Sequence, residues 1–277
     1  MSKHHITLLP HGGLCNRITA ICSALQLARL TDSSLRIVWE KDSGLNCRYD
    51  RLFLPIDKPN VEMVEATLMD KLRWGRPRKT NLWLTKIPQA MEFDAVSDEH
   101  ITLKRERARF DFVKWIEPYD KVYISACNHF CKAEDYDFLQ LQVSPDIEAR
   151  VRHRFAPLAN HKAAIGMHIR RTDHTVAIAG SPTEGFIEKI DAQLQKEPDT
   201  IFYLATDSEE EKANLKARYG ERIFCSAQEA DRNSEEGIVE AMVELYTLAS
   251  CQEVWRSVNS SFSHVAAVIS QKRQETL

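Results

Sequence analysis

His168, Arg170, Arg171 and Asp173 follow directly on a short apolar run, residues 163–167. Such a run reads as a buried strand that delivers four polar, chargeable groups at its carboxyl end, the edge at which open α/β sheets bind ligands. Two guanidiniums beside a buried strand are costly unless an anion meets them. Arginine stays charged and offers five donors in a fixed fork, which suits phosphate or carboxylate. The same residues would also serve as a structural Arg–Asp pair capping the strand.

Two further strand ends supply matching groups. In 204–208 an apolar strand ends in Thr206 and Asp207 and a helix begins at Ser208. In 257–264 a strand passes through Ser257, Asn259, Ser260, Ser261 and Phe262 into another helix. In a parallel sheet all three ends open on one edge. Together they offer cations, a carboxylate and a helix N-terminus lined with serine, which are the needs of a nucleoside diphosphate. Taken singly, Asp207 and the serines are ordinary helix N-caps. Near the start of the chain, a strand over 6–9 runs into His11, Gly12, Gly13, Leu14, Cys15, Asn16 and Arg17. Ile18, Ile21, Cys22, Leu25 and Ala28 then mark one face of a helix. A glycine turn ahead of a helix N-terminus is a ready anion site, although the loop lacks the Lys-Ser/Thr ending of a P-loop. A plain structural turn is the other reading.

The elements that would position these groups follow from periodicity. Residues 35–39 read as a second strand, 42–59 as loop, 61–72 as a helix and 122–126 as the last strand of an N-terminal sheet. Pro145 and Pro157 bracket a connecting helix over 146–155. Beyond it, strands at 163–169, 201–205, 222–225 and 253–256 alternate with helices at 182–194, 208–219, 237–250 and 263–271. That alternation predicts parallel sheets with right-handed crossovers. The expected fold class is α/β, with two Rossmann-like units, 1–145 and 146–277, facing each other across a cleft.

The 277 residues carry 37 Lys and Arg against 40 Asp and Glu, a net charge of −3, so no global field draws the chain to nucleic acid and any anion binding is local. No stretch has the apolar length of a signal peptide or a spanning helix, which points to the cytoplasm. The seven cysteines are odd in number and contain no Cys-x-x-Cys, so free buried thiols are expected. Cys127, His129 and Cys131 invite a zinc reading but lack a fourth ligand at sensible spacing. A basic stretch from Lys71 to Lys79, with Trp74 inside it and Trp83 just beyond, would suit an anionic lipid surface or acidic acceptor, or form a solvated loop. A second basic cluster, 104–109, sits in an expected helix.

The motifs at 168–173, 203–207 and 259–262 resemble those of GDP-fucose-dependent fucosyltransferases. The α1,6-fucosyltransferases are the nearest match, with rhizobial nodulation enzymes and protein O-fucosyltransferases more distant. The loop Gly12-Gly13-Leu14-Cys15-Asn16-Arg17 is similar to the Gly-Gly-Leu-Gly-Asn-Gln loop of α1,2- and O-fucosyltransferases. The resemblance implies a GT-B-like fold with GDP-fucose on the C-terminal unit, the acceptor on the N-terminal one, and no metal or other cofactor. Arg170 would hold the β-phosphate, with Arg171 structural or assisting. His168 and Asp207 would meet the nucleoside, Asp207 accepting from guanine. Ser260, Ser261 and the Phe262 amide would meet the diphosphate, and Gly12, Gly13, Asn16 and Arg17 would close on the donor. The acceptor would be an oligosaccharide or lipid-linked glycan, the latter with peripheral membrane contact through 71–79. His174 stands where the α1,6 enzymes have Lys, and their nearby Glu has no counterpart. The candidate bases are therefore Glu184, His174 and Asp173. Another GDP-sugar as donor, or a non-catalytic nucleotide-binding module, are the alternatives.

Overall fold

The computed structural model describes residues 3–74, 83–171, 180–228, 231 and 233–277. The chain divides into two compact units, Met1–Ser144 and Pro145–Leu277. Among the described residues no helix is long and apolar enough to cross a membrane.

The first unit is built on β1 (His4–Pro10), β2 (Ser33–Trp39), β3 (Val61–Glu65), β4 (Ala95–Ser97) and β5 (Lys121–Ala126). They form one sheet in the order β3-β2-β1-β5-β4, every pairing parallel. The second unit repeats the plan with β6 (Ala164–Ile169), β7 (Ile201–Thr206), β8 (Ile223–Cys225), β9 (Glu253–Arg256) and β10 (Arg273–Thr276), in the order β10-β9-β6-β7-β8. In each sheet the first strand is central and the chain order reverses beside it, between β1 and β5 and between β6 and β9. These are topological switch points, where the crevice beyond the strand ends is open to a ligand. The α/β, doubly parallel, Rossmann-like architecture expected from the alternation is therefore the one observed.

The helix Leu14–Leu30 is buried along nearly its whole length, because β1 and β2 cover one side and the short helices Phe112–Ile116 and Asp135–Leu139 reach the other. In the second unit, period-two alternation along β6 separates two faces. Ile165, Met167 and Ile169 pack with Phe186, Ile190, Phe202, Leu204 and Leu215. Each such fully buried side chain stabilises the unit by about 1.5–3 kcal/mol relative to exposure. Gly166 looks the other way, and a Cβ there would come within 2.7 Å of Leu248 on the helix Glu235–Ser250. Helix and sheet meet this closely because the residue has no side chain.

Residues 61–72 are not one helix. Val61–Glu65 pairs with β2 in the register Leu35↔Val61, and a helix Leu68–Trp74 starts afresh after Thr67. The Thr67 amide donates to Asp70 Oδ2 at 2.8 Å, and the Asp70 amide donates back to Thr67 Oγ1 at 3.1 Å, a capping box. The apolar positions fit either period, and pairing with β2 decides. Strands β4 and β10 were likewise not expected. The second of these has only exposed side chains and follows the helix Ser261–Ser270, where the periodicity predicts a closing helix over 263–271.

Behind β7 lies a buried polar network. Arg154 Nη2 donates to Glu240 Oε2 at 2.9 Å, and Ser226 Oγ donates to Glu240 Oε1 at 2.6 Å. Glu244, one helical turn on, is pushed up from 4.5 to about 8, first by burial and then by the Glu240 carboxylate, against the opposing pull of Lys212 and Arg154. The native state thus holds a proton that the unfolded chain has lost. The stabilising contribution is complete below pH 4.5 and disappears as pH rises through about 8. Glu244→Gln should therefore match wild type in thermal midpoint near pH 5 and exceed it by several degrees at pH 8–9. Parallel profiles for the two proteins would contradict this.

Candidate functional site

The three strand ends singled out in the C-terminal half do converge. Arg170 Nη1 lies 3.1 Å from Asp207 Oδ2, joining the ends of β6 and β7, with the two side chains 21% and 22% exposed. The Arg170 amide donates to Ser257 Oγ at 3.2 Å, and Ser257 Oγ donates to the His168 carbonyl at 3.0 Å, stitching β6 to β9 across the switch point. The His168 ring stacks on Phe262 at 4.9 Å between centroids. One edge therefore carries Arg170, Asp207, His168 and the start of the helix Ser261–Ser270.

The adjacent arginines have different work, and alternation along the strand explains it. Arg171 continues the face of Ile169, toward the helices Thr183–Lys196 and Glu209–Tyr219. Its Nε donates to Glu211 Oε1 at 2.7 Å, Nη2 to Thr183 Oγ1 at 2.8 Å and Nη1 to the Arg170 carbonyl at 2.9 Å. This is a half-buried clamp. Arg170 continues the face of His168. Its head stays within reach of solvent while Asp207 orients it. Asp207 is not an N-cap: Ser208 takes that role, accepting from the Glu211 amide at 3.2 Å. Both Asp207 oxygens act inside the edge, since Oδ1 accepts from the Arg171 amide at 2.7 Å.

His168 is 4% exposed, and its pKa is pushed from 6.5 down to about 3 by burial and then by Arg170, with Asp207 opposing. The imidazole is therefore held neutral, and its Nδ1 is buried without a protein hydrogen bond. A ligand group would satisfy it. By linkage, this neutral histidine contributes stability that is present above pH 6.5 and lost as pH falls through about 3.

Ser260 is the N-cap of Ser261–Ser270, yet its side chain makes no capping bond and no acid lies in the first turn. The helix Leu14–Leu30 is alike: Gly13 is its N-cap, with no side-chain cap and no acid in the first turn. The helices Glu209–Tyr219 and Glu235–Ser250 are instead capped by Ser208 and Ser234 and begin with glutamates. At these two helix starts no side-chain cap and no acid competes with an anion for the positive end of the helix dipole. Gly12, at φ +87°, turns the chain ahead of Leu14–Leu30, and a Cβ there would lie 3.2 Å from Asn16 Nδ2. Asn16 is half-buried at this turn.

Arg17 is placed differently from the expectation. It is fully buried, donating from Nε to the Gly12 carbonyl at 3.0 Å, from Nη1 to the Glu40 carbonyl and from Nη2 to Asp42 Oδ2 at 2.9 Å. Its guanidinium stacks over Trp39 at 5.0 Å. It braces the glycine loop against the end of β2 and does not present donors to a ligand. Glu184 is exposed in the first turn of Thr183–Lys196, next to the Thr183 that Arg171 holds. Asp173 and His174 lie outside the described residues, as do residues 75–79 of the basic stretch; Lys71 and Arg73 are exposed. Ser257 lies in the third strand-end stretch, 257–264, and that stretch alone predicts no role for it. Its signal is its place, a hydroxyl directly after a strand beside the switch point.

All seven cysteines are free thiols. His129 packs against Phe138 at 6.3 Å, and among the described residues the group with metal-ligand spacing is His11, Glu99 and Cys127 rather than Cys127, His129 and Cys131. An Asp-x-Asp tripeptide occurs at 135–137, but Asp137 is buried and accepts from the Glu134 amide at 2.9 Å, closing a capping box.

No family model matches the sequence, and no curated protein matches it either. Solved structures do match in fold. The chain is similar to the fucosyltransferase NodZ from Bradyrhizobium, with TM-score 0.64 and 18% identity over 96% of this chain and 93% of that one. It is similar to a mutant of Arabidopsis thaliana FUT1 in complex with GDP, with TM-score 0.67 and 16% identity over 99% of this chain and 70% of that one. It is similar to POFUT1 in its apo form, with TM-score 0.62 and 12% identity over 100% of this chain and 98% of that one. The likeness runs through both units and establishes a GT-B-type fold.

Proposed function

We propose that this chain is an inverting glycosyltransferase that moves fucose from GDP-fucose to a hydroxyl of a glycan, without a metal at the diphosphate. The observation that carries the reading is the edge of β6, where Asp207 orients Arg170 beside the uncapped N-terminus at Ser260–Phe262. Support comes from the fold neighbours: a NodZ α1,6-fucosyltransferase structure was soaked with GDP-fucose, and structures of FUT1 and POFUT1 hold GDP.

Breaking the bond at the anomeric carbon leaves oxocarbenium character on the sugar and negative charge on the departing diphosphate. Arg170 and the amides at Ser261 and Phe262 would meet that charge as it grows, which lowers the barrier more than it tightens ground-state binding. These cationic and dipolar groups do the work for which other transferases use a divalent ion. His168, neutral and stacked on Phe262, meets the nucleoside, and Arg171 keeps the β6 end in place through Glu211 and Thr183. Gly12, Gly13 and Asn16 form a second anion-facing turn on the first unit, the side assigned to the acceptor. Inversion calls for a base at the acceptor hydroxyl, a role for which Glu184, Asp173 and His174 remain the candidates. A lipid-linked acceptor would be met through the basic stretch at 71–79.

The test is a donor panel read by thermal shift and by sugar release. GDP-fucose and GDP should raise the melting temperature, with slow fucose release from GDP-fucose and faster transfer once a glycan acceptor is found. Preference for GDP-mannose would reassign the donor. Binding of GDP-fucose with neither release nor transfer to any glycan would make the chain a nucleotide-binding module. A UDP-sugar preference would remove the assignment.

A further inference from the structure

We propose that His11, Glu99 and Cys127 hold one divalent transition-metal ion of the zinc class at the carboxyl edge of the first sheet. The three come from three successive positions along that edge. His11 directly follows β1 and Cys127 directly follows β5. These strands are neighbours at the switch point, paired Pro10↔Ala126, and the His11 amide donates to the Ala126 carbonyl at 3.0 Å. Glu99 opens the helix Glu99–Arg107 just after β4, which pairs with β5 on its other side. The Asp98 side chain caps that helix by accepting from the Ile101 amide at 3.0 Å, which fixes where Glu99 begins.

The side chains converge in the interior, at 3%, 4% and 7% exposure, with one ligand atom of each within 4.8 Å of the others. Three protein ligands with a water in the fourth position make the open tetrahedral arrangement of zinc, in which neighbouring ligand atoms stand about 3.3–3.6 Å apart. His11 Nδ1 and Glu99 Oε1 already stand 3.6 Å apart. The Cys127 sulfur lies within 4.8 Å of its partners, so completing the set takes a side-chain shift of at most roughly 1.5 Å. A thiolate and a carboxylate sharing a buried site carry two negative charges that a divalent cation neutralises. Thiolate with imidazole favours zinc over magnesium or calcium.

The site would act on the glycine loop. A Cβ at Gly12 would meet Cys127 Cβ at 3.5 Å and Asn16 Nδ2 at 3.2 Å, so the turn that aims Asn16 rests on a ligand of the ion. The ion would hold that turn, and its chemistry is separate from the diphosphate chemistry assigned to the second unit.

Full-length protein stripped with a chelator and titrated with zinc should bind one equivalent and gain thermal stability. Glu99→Gln and Cys127→Ser should weaken that binding by more than a hundredfold. Cys131→Ser, at the nearest other thiol in sequence, should leave it unchanged. Cobalt(II) added to the stripped wild-type protein should give thiolate-to-cobalt charge-transfer and tetrahedral d–d bands, a readout that needs no variant and no activity. A stripped protein that takes up no equivalent, a cobalt spectrum without the thiolate band, or binding that follows Cys131 instead of Cys127 would overturn the site. Each result stands whether or not GDP-fucose proves to be the donor.

Discussion

Arg170→Ala should lower fucosyl transfer and donor hydrolysis by on the order of 10²–10³, the usual cost of removing a donor aimed at developing negative charge. The fold should survive. Arg170 and Asp207 are each about one-fifth exposed, so the carboxylate left behind remains partly solvated. The backbone bond from residue 170 to Ser257 needs no side chain. Arg170→Lys should recover part of the rate, since it keeps the charge but loses the planar fork. Rate assays with GDP-fucose and a melting curve check both halves. An Ala variant that keeps more than about a tenth of the wild-type rate would remove Arg170 from the mechanism. Asp207 supplies a second arm. If its work is to orient Arg170, Asp207→Asn costs less than Arg170→Ala, and the double variant is no worse than Arg170→Ala alone. If Asp207 instead accepts from guanine, as the family resemblance implies, the loss appears in GDP affinity and adds to that of Arg170.

Arg17→Ala should do the opposite, costing stability and leaving chemistry untested because the first unit is compromised. Its guanidinium is fully buried, and its Asp42 partner is 6% exposed. Removing one member of such a pair strands the other charge, typically at about 3–5 kcal/mol. That is a large share of the 5–15 kcal/mol by which a domain is ordinarily stable. The Asp42 carboxylate would keep the Leu45 amide on Oδ1 at 3.1 Å, which limits the loss without replacing Arg17. Urea unfolding should show the drop. Pairing Arg17→Met with Asp42→Asn should recover much of it by refilling the space and removing the stranded charge. A change below about 1 kcal/mol together with weakened donor binding would return Arg17 to the ligand site.

These two arginines show what could be read from residue order and what could not. Each lies next to a glycine loop or a strand end, and composition alone makes both look like anion ligands. Burial separates them, and burial depends on residues far along the chain: Glu40 and Asp42 for Arg17, Asp207 for Arg170, Glu211 and Thr183 for Arg171. The trio proposed to hold a metal has the same character. His11, Glu99 and Cys127 have no local spacing to announce them, whereas Cys127, His129 and Cys131 look like ligands in sequence but are not grouped in space.

Residue order alone carries the α/β class, the central strands with their helices and the strand ends that bear polar groups. Those rest on local periodicity and on apolar runs long enough to be buried on both faces. Tertiary structure decided the rest. Short edge strands such as β3, β4 and β10 pair on one side only, so their strand character comes from a neighbour and not from their own pattern. The division of labour among Arg17, Arg170 and Arg171 is likewise non-local. A guanidinium becomes a brace or an anion ligand according to which face it leaves by and which carboxylates the fold has brought there.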